Sequence, residues 1–281
     1  MRKSLLFVAV LGALATSQVV MAEEAAAEKS PHSVSYNVGL FSQYIFRGLT
    51  QTDSTPALQG GVDYSHSSGF YLGGWASNVS WPRDDYFDNT FYKSGGSLEI
   101  DVYGGYKTEL GKTGLTLDVG ALQYYYPGRR TGGDFAMAKI NTTEVYGALS
   151  YSWLQAKYSQ VVSKDAWGWG KYKVEGEKSG SNADGTYYAE LNLNVPVGEL
   201  VKLNYLNGVS ALAHIGYQDF AGKENEYASF TDYKLGLQKS FENGVNVGAF
   251  WTTTNASDRA WTYDGQNIGR STGTLYVQKT F

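Results

Sequence analysis

The strongest constraint on this chain is a period of two. Between Gly96 and Lys107, Leu98, Ile100, Val102, Gly104 and Tyr106 alternate with Ser97, Glu99, Asp101, Tyr103 and Gly105. That spacing fits a β-strand with one apolar and one polar face, because successive side chains of a strand point to opposite sides. Tyr187, Ala189, Leu191, Leu193 and Val195 alternate in the same way with Thr186, Tyr188, Glu190, Asn192 and Asn194. So do Val209, Ala211, Ala213, Ile215 and Tyr217 with Ser210, Leu212, His214, Gly216 and Gln218. Comparable segments at 33–42, 57–65, 69–78, 115–126, 142–151, 153–162, 231–241, 244–253 and 273–281 make twelve predicted strands. No amphipathic helix of 3.6 period follows residue 22, which excludes a parallel α/β fold.

The first 22 residues obey another rule. Arg2 and Lys3 precede an apolar run from Leu5 to Ala15, and Val20-Met21-Ala22 offers small or aliphatic residues where a signal peptidase reads. Residues 1–22 are therefore expected to be a cleaved signal peptide, too short for a membrane anchor. Residues 23–32, rich in Glu and Ala, are expected to be a flexible periplasmic tail, and 33–281 the folded unit. Cleavage removes the two positive charges of Arg2 and Lys3 and moves the formal charge from -4 to -6. The absence of Cys removes disulfides, thiol nucleophiles and thiolate metal sites, and an acidic balance does not suit a nucleic-acid partner.

Alternating antiparallel strands are buried either in a soluble sandwich or in a barrel whose apolar face meets lipid. Connection lengths separate the two. Short turns at 65–69, 109–114, 150–153 and 242–244, and a longer one at 196–208, alternate with long polar loops at 43–56, 79–95, 127–141, 163–184, 219–230 and 254–272. Outer-membrane barrels carry that asymmetry, with tight periplasmic turns and long outer loops. Aromatic residues add an independent sign. Tyr36, Tyr64, Tyr106 and Phe241 fall on apolar faces near the short turns, and Tyr125, Tyr187, Tyr217, Tyr233 and Trp251 near the long loops, as interfacial belts require. A sandwich would place most rings mid-strand. The expected fold is thus all-β, an antiparallel transmembrane β-barrel of about 12 strands in the bacterial outer membrane. The mean hydropathy of -0.33 is compatible with it, because only alternate strand residues need be apolar.

Several segments carry a family resemblance. Val38-Gly-Leu-Phe-Ser-Gln-Tyr44-Ile-Phe46-Arg47-Gly48-Leu-Thr-Gln-Thr-Asp53, Ala57 to Tyr64 and Gly69 to Val79 resemble the TorF-type porins of Gram-negative bacteria. The likeness continues through Glu99 to Tyr106, Val119 to Gly128, Thr143 to Tyr151, Leu154 to Ser159, Ala213 to Tyr217 and Lys279 to Phe281. The resemblance implies a porin-like barrel and brings no agreed substrate or catalytic set. The ending Leu275 to Phe281 also resembles the insertion signal of outer-membrane proteins, with Phe281 its terminal aromatic and Lys279 where an apolar residue is more usual.

Chemistry beyond a passive pore has few carriers. His32 falls in the predicted tail and His66 in a turn, while His214 is mid-strand on the polar face with Ser210 four residues back. One His near one Ser reads first as a pore-lining or hydrogen-bonded residue and only then as catalytic; no catalytic, metal or cofactor site is expected. Gly111-Lys112-Thr113 lacks the first Gly and the following helix of a phosphate loop, and the Asn182 to Gly185 stretch lacks carboxylates at calcium-ligand positions. Both read as turns.

Alternation puts Asp63, Glu99, Asp101, Asp118, Glu144, Glu190 and His214 on the lumen side with Lys107, Lys157 and Lys234. These read first as a hydrated, partly paired wall; the sharper expectation is a weak cation preference from the carboxylate excess. Arg129, Arg130 and Lys139 form an expected basic cluster in the third long loop. Lys164, Lys171, Lys173 and Lys178 stand among Trp167, Trp169 and Tyr172 in the fourth. Such loops could fold inward or meet lipopolysaccharide; seven Trp spread over the chain define no cleft. The expected function is a diffusion channel for small hydrophilic solutes, with an occluded structural or adhesive barrel as the alternative and a hydrolase third. Expected partners are outer-membrane lipid and lipopolysaccharide, the outer-membrane assembly machinery and small polar solutes.

Overall fold

The computed structural model describes residues 30–83, 91–130, 138–174, 177–263 and 265–281, together with a two-residue antiparallel pairing of Phe7–Val8 with Ser17–Gln18. Most of the expected signal peptide and tail lies outside the described residues. Twelve strands form one closed barrel: β1 (His32–Phe41), β2 (Ala57–His66), β3 (Phe70–Asn78), β4 (Leu98–Glu109), β5 (Leu115–Tyr125), β6 (Thr142–Tyr151), β7 (Leu154–Val161), β8 (Tyr187–Val195), β9 (Val209–Asp219), β10 (Phe230–Ser240), β11 (Val245–Thr254) and β12 (Thr272–Thr280). Each pairs antiparallel with its neighbours in sequence, and β12 closes onto β1, so a sandwich is excluded. Among the described residues no helix is long and apolar enough to cross a membrane. Every expected strand is present within a residue or two of its predicted ends. β1 opens at His32, opposite His66 at the end of β2, so both histidines expected in a tail and a turn belong to paired strand ends.

Local chemistry explains the short connections. Tyr151 pairs with Leu154, leaving Ser152 and Trp153 as a two-residue hairpin turn in which Ser152 takes φ +52. A left-handed first turn residue matches the twist of the joined strands. The long turn between β8 and β9 holds a one-turn helix, Val197–Val201, started by Pro196, whose fixed φ and missing N–H suit a helix entry.

The barrel presents apolar side chains outward and mixed ones inward. Leu40, Leu58, Leu72, Leu235, Leu237 and Leu275 are each more than half exposed, alternating with less exposed neighbours. So large an exposed apolar surface is unstable in water and matches hydrocarbon. Near the long loops Tyr158, Tyr187 and Tyr217 stand side by side on β7, β8 and β9, with centroid spacings of 5.4 and 6.1 Å, and Phe70 meets Tyr106 at 5.1 Å near the short turns. The belts account for only part of the tyrosine content. Tyr103, Tyr124, Tyr146, Tyr188 and Tyr276 are buried inside the barrel.

Glycines make room for those inner rings. Tyr71 faces Gly105, Tyr103 faces Gly73, Tyr146 faces Gly120 and Tyr276 faces Gly248 across a strand pair, and a Cβ on any of these glycines would collide with the ring. Each ring therefore lies along the wall instead of reaching across the lumen.

The closing seam has the shortest ladder of the barrel, five register pairs from Tyr276–Phe41 to Thr280–Asn37, against ten between β9 and β10. Flanking groups extend it. Gln43 Nε2 donates to Thr272 Oγ1 (2.8 Å) and to the Gly273 carbonyl (3.0 Å). The Ser42 amide donates to the Leu275 carbonyl (2.8 Å), the Leu275 amide to Ser42 Oγ (3.0 Å), and the Phe281 amide to the Tyr36 carbonyl (2.9 Å).

Candidate functional site

The loop joining β1 to β2 was expected to be polar and external. Instead it enters the barrel. Within Ser42 to Pro56, Ile45–Phe46 pairs with Leu49–Thr50 as a small hairpin, with Arg47 and Gly48 at its turn (φ +48 and +77). Two left-handed residues make the tight turn whose twist suits a two-residue hairpin. Only glycine fits the second position, because a Cβ there would collide with Thr254 on β11 and Asp232 on β10. Tyr44, Ile45, Leu49, Thr50, Gln51 and Thr52 are all buried, so the hairpin is packed inside and not draped over the rim.

Arg47 fastens the tip. Its Nη2 donates to Glu144 Oε1 and Oε2 at 2.9 and 2.8 Å, and its Nη1 to Gln218 Oε1 at 2.7 Å. Glu144 lies on β6 and Gln218 on β9, across the barrel from the β1–β2 root of the loop. The guanidinium also lies over the rings of Tyr188 (4.2 Å), Phe46 (4.8 Å) and Trp167 (5.1 Å). Burial is the largest single influence and opposes its charge, but Glu144, through charge and hydrogen bond, together with Tyr124 and Tyr188 more than offsets it and holds the pKa above the usual arginine value. Tyr44 braces the near side through its hydroxyl to Glu99 Oε1 (2.7 Å) and its ring against Trp75 (5.4 Å). Burial and the charge of Glu99 raise the Tyr44 pKa, so it remains a neutral donor.

The ten residues placed on the polar strand faces fall into three groups. Glu99, Asp101 and Glu144 lie under the first loop and are 1–2% exposed. In the middle, Lys157 and Glu190 are register partners on β7 and β8, and His214 and Lys234 on β9 and β10. Nearer the short turns, Asp63 accepts from Tyr103, Asp118 from Tyr71 (2.6 Å), and Lys107 is Asp118's register partner. Asp63, Lys107 and Asp118 are half-buried, so solvent reaches this end of the lumen while the other end is closed over.

His214 is fully engaged. Its Nδ1 pairs with Asn192 Oδ1 (2.6 Å), and its Nε2 with Tyr188 Oη (2.9 Å) and Asp232 Oδ1 (3.0 Å). Ser210 is not among these partners, so His214 and Ser210 are not brought together as base and nucleophile. Among the described residues no group of three or more His, Asp or Glu could hold a metal ion.

Arg129 and Arg130 are exposed on the short strand Gly128–Arg130, paired with Tyr92–Gly95, whereas the Lys139 backbone is tied to Asp165 and Gly168 of the next loop. Lys164, Lys171 and Lys178 are exposed; the side chains of Tyr172 and Lys173 lie outside the described residues. Phe281 is exposed beside Lys279, its backbone extending the seam. Sequence reasoning missed Arg47, Tyr44 and Asp232 as interior residues, and gave no role to Tyr188 on the polar face of β8. A usable signal was present in the alternation of Tyr44, Phe46 and the following Leu49 inside a supposedly polar loop. It also missed that Trp81, Trp167 and Trp261 converge on one cleft at the loop end.

Fold and site together define a closed twelve-strand antiparallel barrel with an apolar exterior, a charged interior and a first loop latched inside it. The chain belongs to the family described as "Bacterial protein of unknown function (Gcw_chp)", which matches residues 25–281. That description carries neither the TorF name nor a function. No curated protein matches. Among solved structures the chain is similar to the NanC porin (12% identity, 89% of this chain and 99% of that one, TM-score 0.47) and to the KdgM porin (9%, 88% and 99%, 0.45). It is also similar to Pseudomonas aeruginosa OprD (14%, 88% and 66%, 0.37). Likenesses at that level say nothing about what the chain conducts or binds.

Proposed function

We propose that this protein is an outer-membrane channel for small hydrophilic solutes, narrowed by its own first loop. The observation that carries the reading is the contrast between surfaces: an exposed apolar band outside, and a lumen walled by Asp63, Lys107, Asp118, Lys157, Glu190, His214 and Lys234 inside. A barrel of about 12 strands is wider than the 8-strand cans that side chains fill, and the wall-lying tyrosines preserve that width. In the proposed orientation the short turns face the periplasm, the long loops face outward toward lipopolysaccharide, and the Phe281 end is read by the assembly machinery. The likeness to TorF-type porins supports the same placement. Transport needs no covalent step: a solute exchanges bulk water for the polar lumen and moves down its gradient.

Inward carboxylates outnumber inward cations among the described residues, since Asp63, Glu99, Asp101, Asp118, Glu144, Glu190 and Asp232 face Arg47, Lys107, Lys157 and Lys234. That excess favours cations over anions in a narrow pore. Reversal potentials of refolded protein in a potassium chloride gradient test it, with a cation preference expected and an anion-selective pore counting against it. The burial of Glu99, Asp101 and Glu144 beneath the loop favours a second reading, a permanently occluded barrel with a structural role. Planar-bilayer recordings separate the two: discrete conductance steps support the channel, and a folded but silent barrel supports occlusion.

A further inference from the structure

Two of the three histidines meet at the turn end of the barrel, outside the lumen. His32 opens β1, His66 closes β2, and the two are register partners, so their side chains leave the same face of the sheet. Alternation makes that the outer face, shared with Val34, Tyr36 and Tyr64. The Ser67 amide donates to the Pro31 carbonyl (2.8 Å), the bond that flanks a non-hydrogen-bonded pair, where facing side chains stand closest. The two imidazole centroids are 5.1 Å apart, with the ring planes at 56°.

Hydrogen bonds decide which ring nitrogens remain. His32 Nδ1 pairs with Tyr64 Oη (2.7 Å) and His66 Nδ1 with Ser68 Oγ (2.7 Å). Neither Nε2 has a hydrogen-bond partner among the described residues, and neither ring is buried. A metal-bound histidine is held in this way, with one ring nitrogen on the ion and the other donating its proton to a nearby oxygen. The hydroxyls of Tyr64 and Ser68 supply those oxygens. A proton on His66 Nδ1 gives up one contact, the Ser68 amide at 3.2 Å, which is the longest of the three.

The spacing fits an ion as well. Imidazole nitrogens sit about 2.0–2.1 Å from zinc and about 1.1 Å from their own ring centre, so two imidazoles on one tetrahedral ion have centroids about 5.1 Å apart. The two rings already stand at that separation. Neutral nitrogen donors suit copper, nickel and zinc, whereas magnesium and calcium take oxygen. No carboxylate is among the partners of either ring within the described residues.

We propose that His32 and His66 form a two-nitrogen site for a divalent copper, nickel or zinc ion at the turn-end rim, with water completing the coordination and Tyr64 positioning His32. The ion ties the first residue of β1 to the last of β2. The site lies outside the lumen, so it does not depend on whether the barrel conducts.

Zinc chloride and copper(II) chloride are the probes, added to the refolded full chain in nanodiscs without an affinity tag. Isothermal titration should give one zinc per chain, and pulsed electron paramagnetic resonance of the copper form should show two coordinated imidazoles. His32→Gln and His66→Gln should each weaken zinc by about a hundredfold, the low end of the gain from linking two binding groups, and leave one imidazole on copper. Tyr64→Phe should weaken zinc by about tenfold and keep both imidazoles, which marks a positioning residue. Circular dichroism confirms the barrel in each variant; if His66→Gln does not fold, His32→Gln, at the first residue of β1, carries the test. Zinc binding that survives in the double variant His32→Gln/His66→Gln overturns the assignment and gives the metal to other groups. One metal for two chains overturns it in favour of a site between copies. So does a wild-type copper spectrum with fewer than two imidazoles, or the absence of zinc uptake.

Discussion

The two ends of the lumen are built from the same strands and behave differently. At the loop end Glu144, Glu99 and Asp101 are sealed beneath a hairpin, and the only buried carboxylate with a full ionic partner there is Glu144, held by Arg47 among the described residues. At the turn end Asp63 and Asp118 stay half-buried and accept from tyrosine hydroxyls. Charge in the first case is stabilised by a specific partner from another part of the chain. In the second a neutral donor holds it at a half-buried position, with Lys107 facing Asp118 across the strand pair. The lesson is that a barrel wall tolerates carboxylates cheaply where solvent reaches them, and that beneath the loop one is held by a dedicated cation, Glu144 by Arg47, and another by a neutral donor, Glu99 by Tyr44.

That contrast can be broken most visibly at the latch. Arg47→Ala should free the hairpin and raise single-channel conductance severalfold in planar bilayers, whereas Lys107→Ala at the turn end should leave it near wild type. An unchanged conductance in R47A would show that the loop does not set the constriction. Next in size is stability. Glu144→Gln leaves a buried guanidinium without its counter-charge and should cost about 3–5 kcal/mol, the range for breaking a buried pair. Asp63→Asn keeps an acceptor for Tyr103 in a wetter site and should cost about 1 kcal/mol. Urea unfolding from lipid vesicles reads both, and equal losses would erase the distinction between the two ends. The smallest effect compares two faces of the wall. Gly216→Ala forces a methyl group into Tyr188 and should cost about 1–3 kcal/mol, while Gly147→Ala, with nothing within 4 Å, should be close to neutral.

How much of this could be read from the sequence follows from the range of each interaction. Strands were legible because alternation is local: Leu98 to Tyr106 reports its two faces within nine residues. The inward direction of Glu144, Glu190 and His214 followed from the same parity. The latch was not legible, because Arg47 finds Glu144 97 residues away and Gln218 171 residues away, and neither pairing leaves a pattern in its own neighbourhood. The aromatic cleft was hidden for the same reason, since Trp81, Trp167 and Trp261 sit on loops whose meeting depends on the ring being closed. Tyrosine was misassigned in part because membrane belts explain outward rings alone; Tyr103 and Tyr188 stood on the polar faces in plain view, and their partners Gly73 and Gly216 mark the space they occupy.

The seam between β12 and β1 bears on how the first loop can move. Ser42 and Gln43, the first residues beyond β1, are the ones that lengthen the short closing ladder through Leu275, Thr272 and Gly273. The base of the plug is thus also the clasp of the ring. Swinging the loop out as one rigid arm would unzip the clasp and expose two strand edges to lipid, where unpaired backbone groups are costly. The hinge must therefore lie beyond Gln43, and any opening stroke is confined to the short hairpin that carries Arg47. The lever is a few residues long, and the hoop around it can stay shut while it moves.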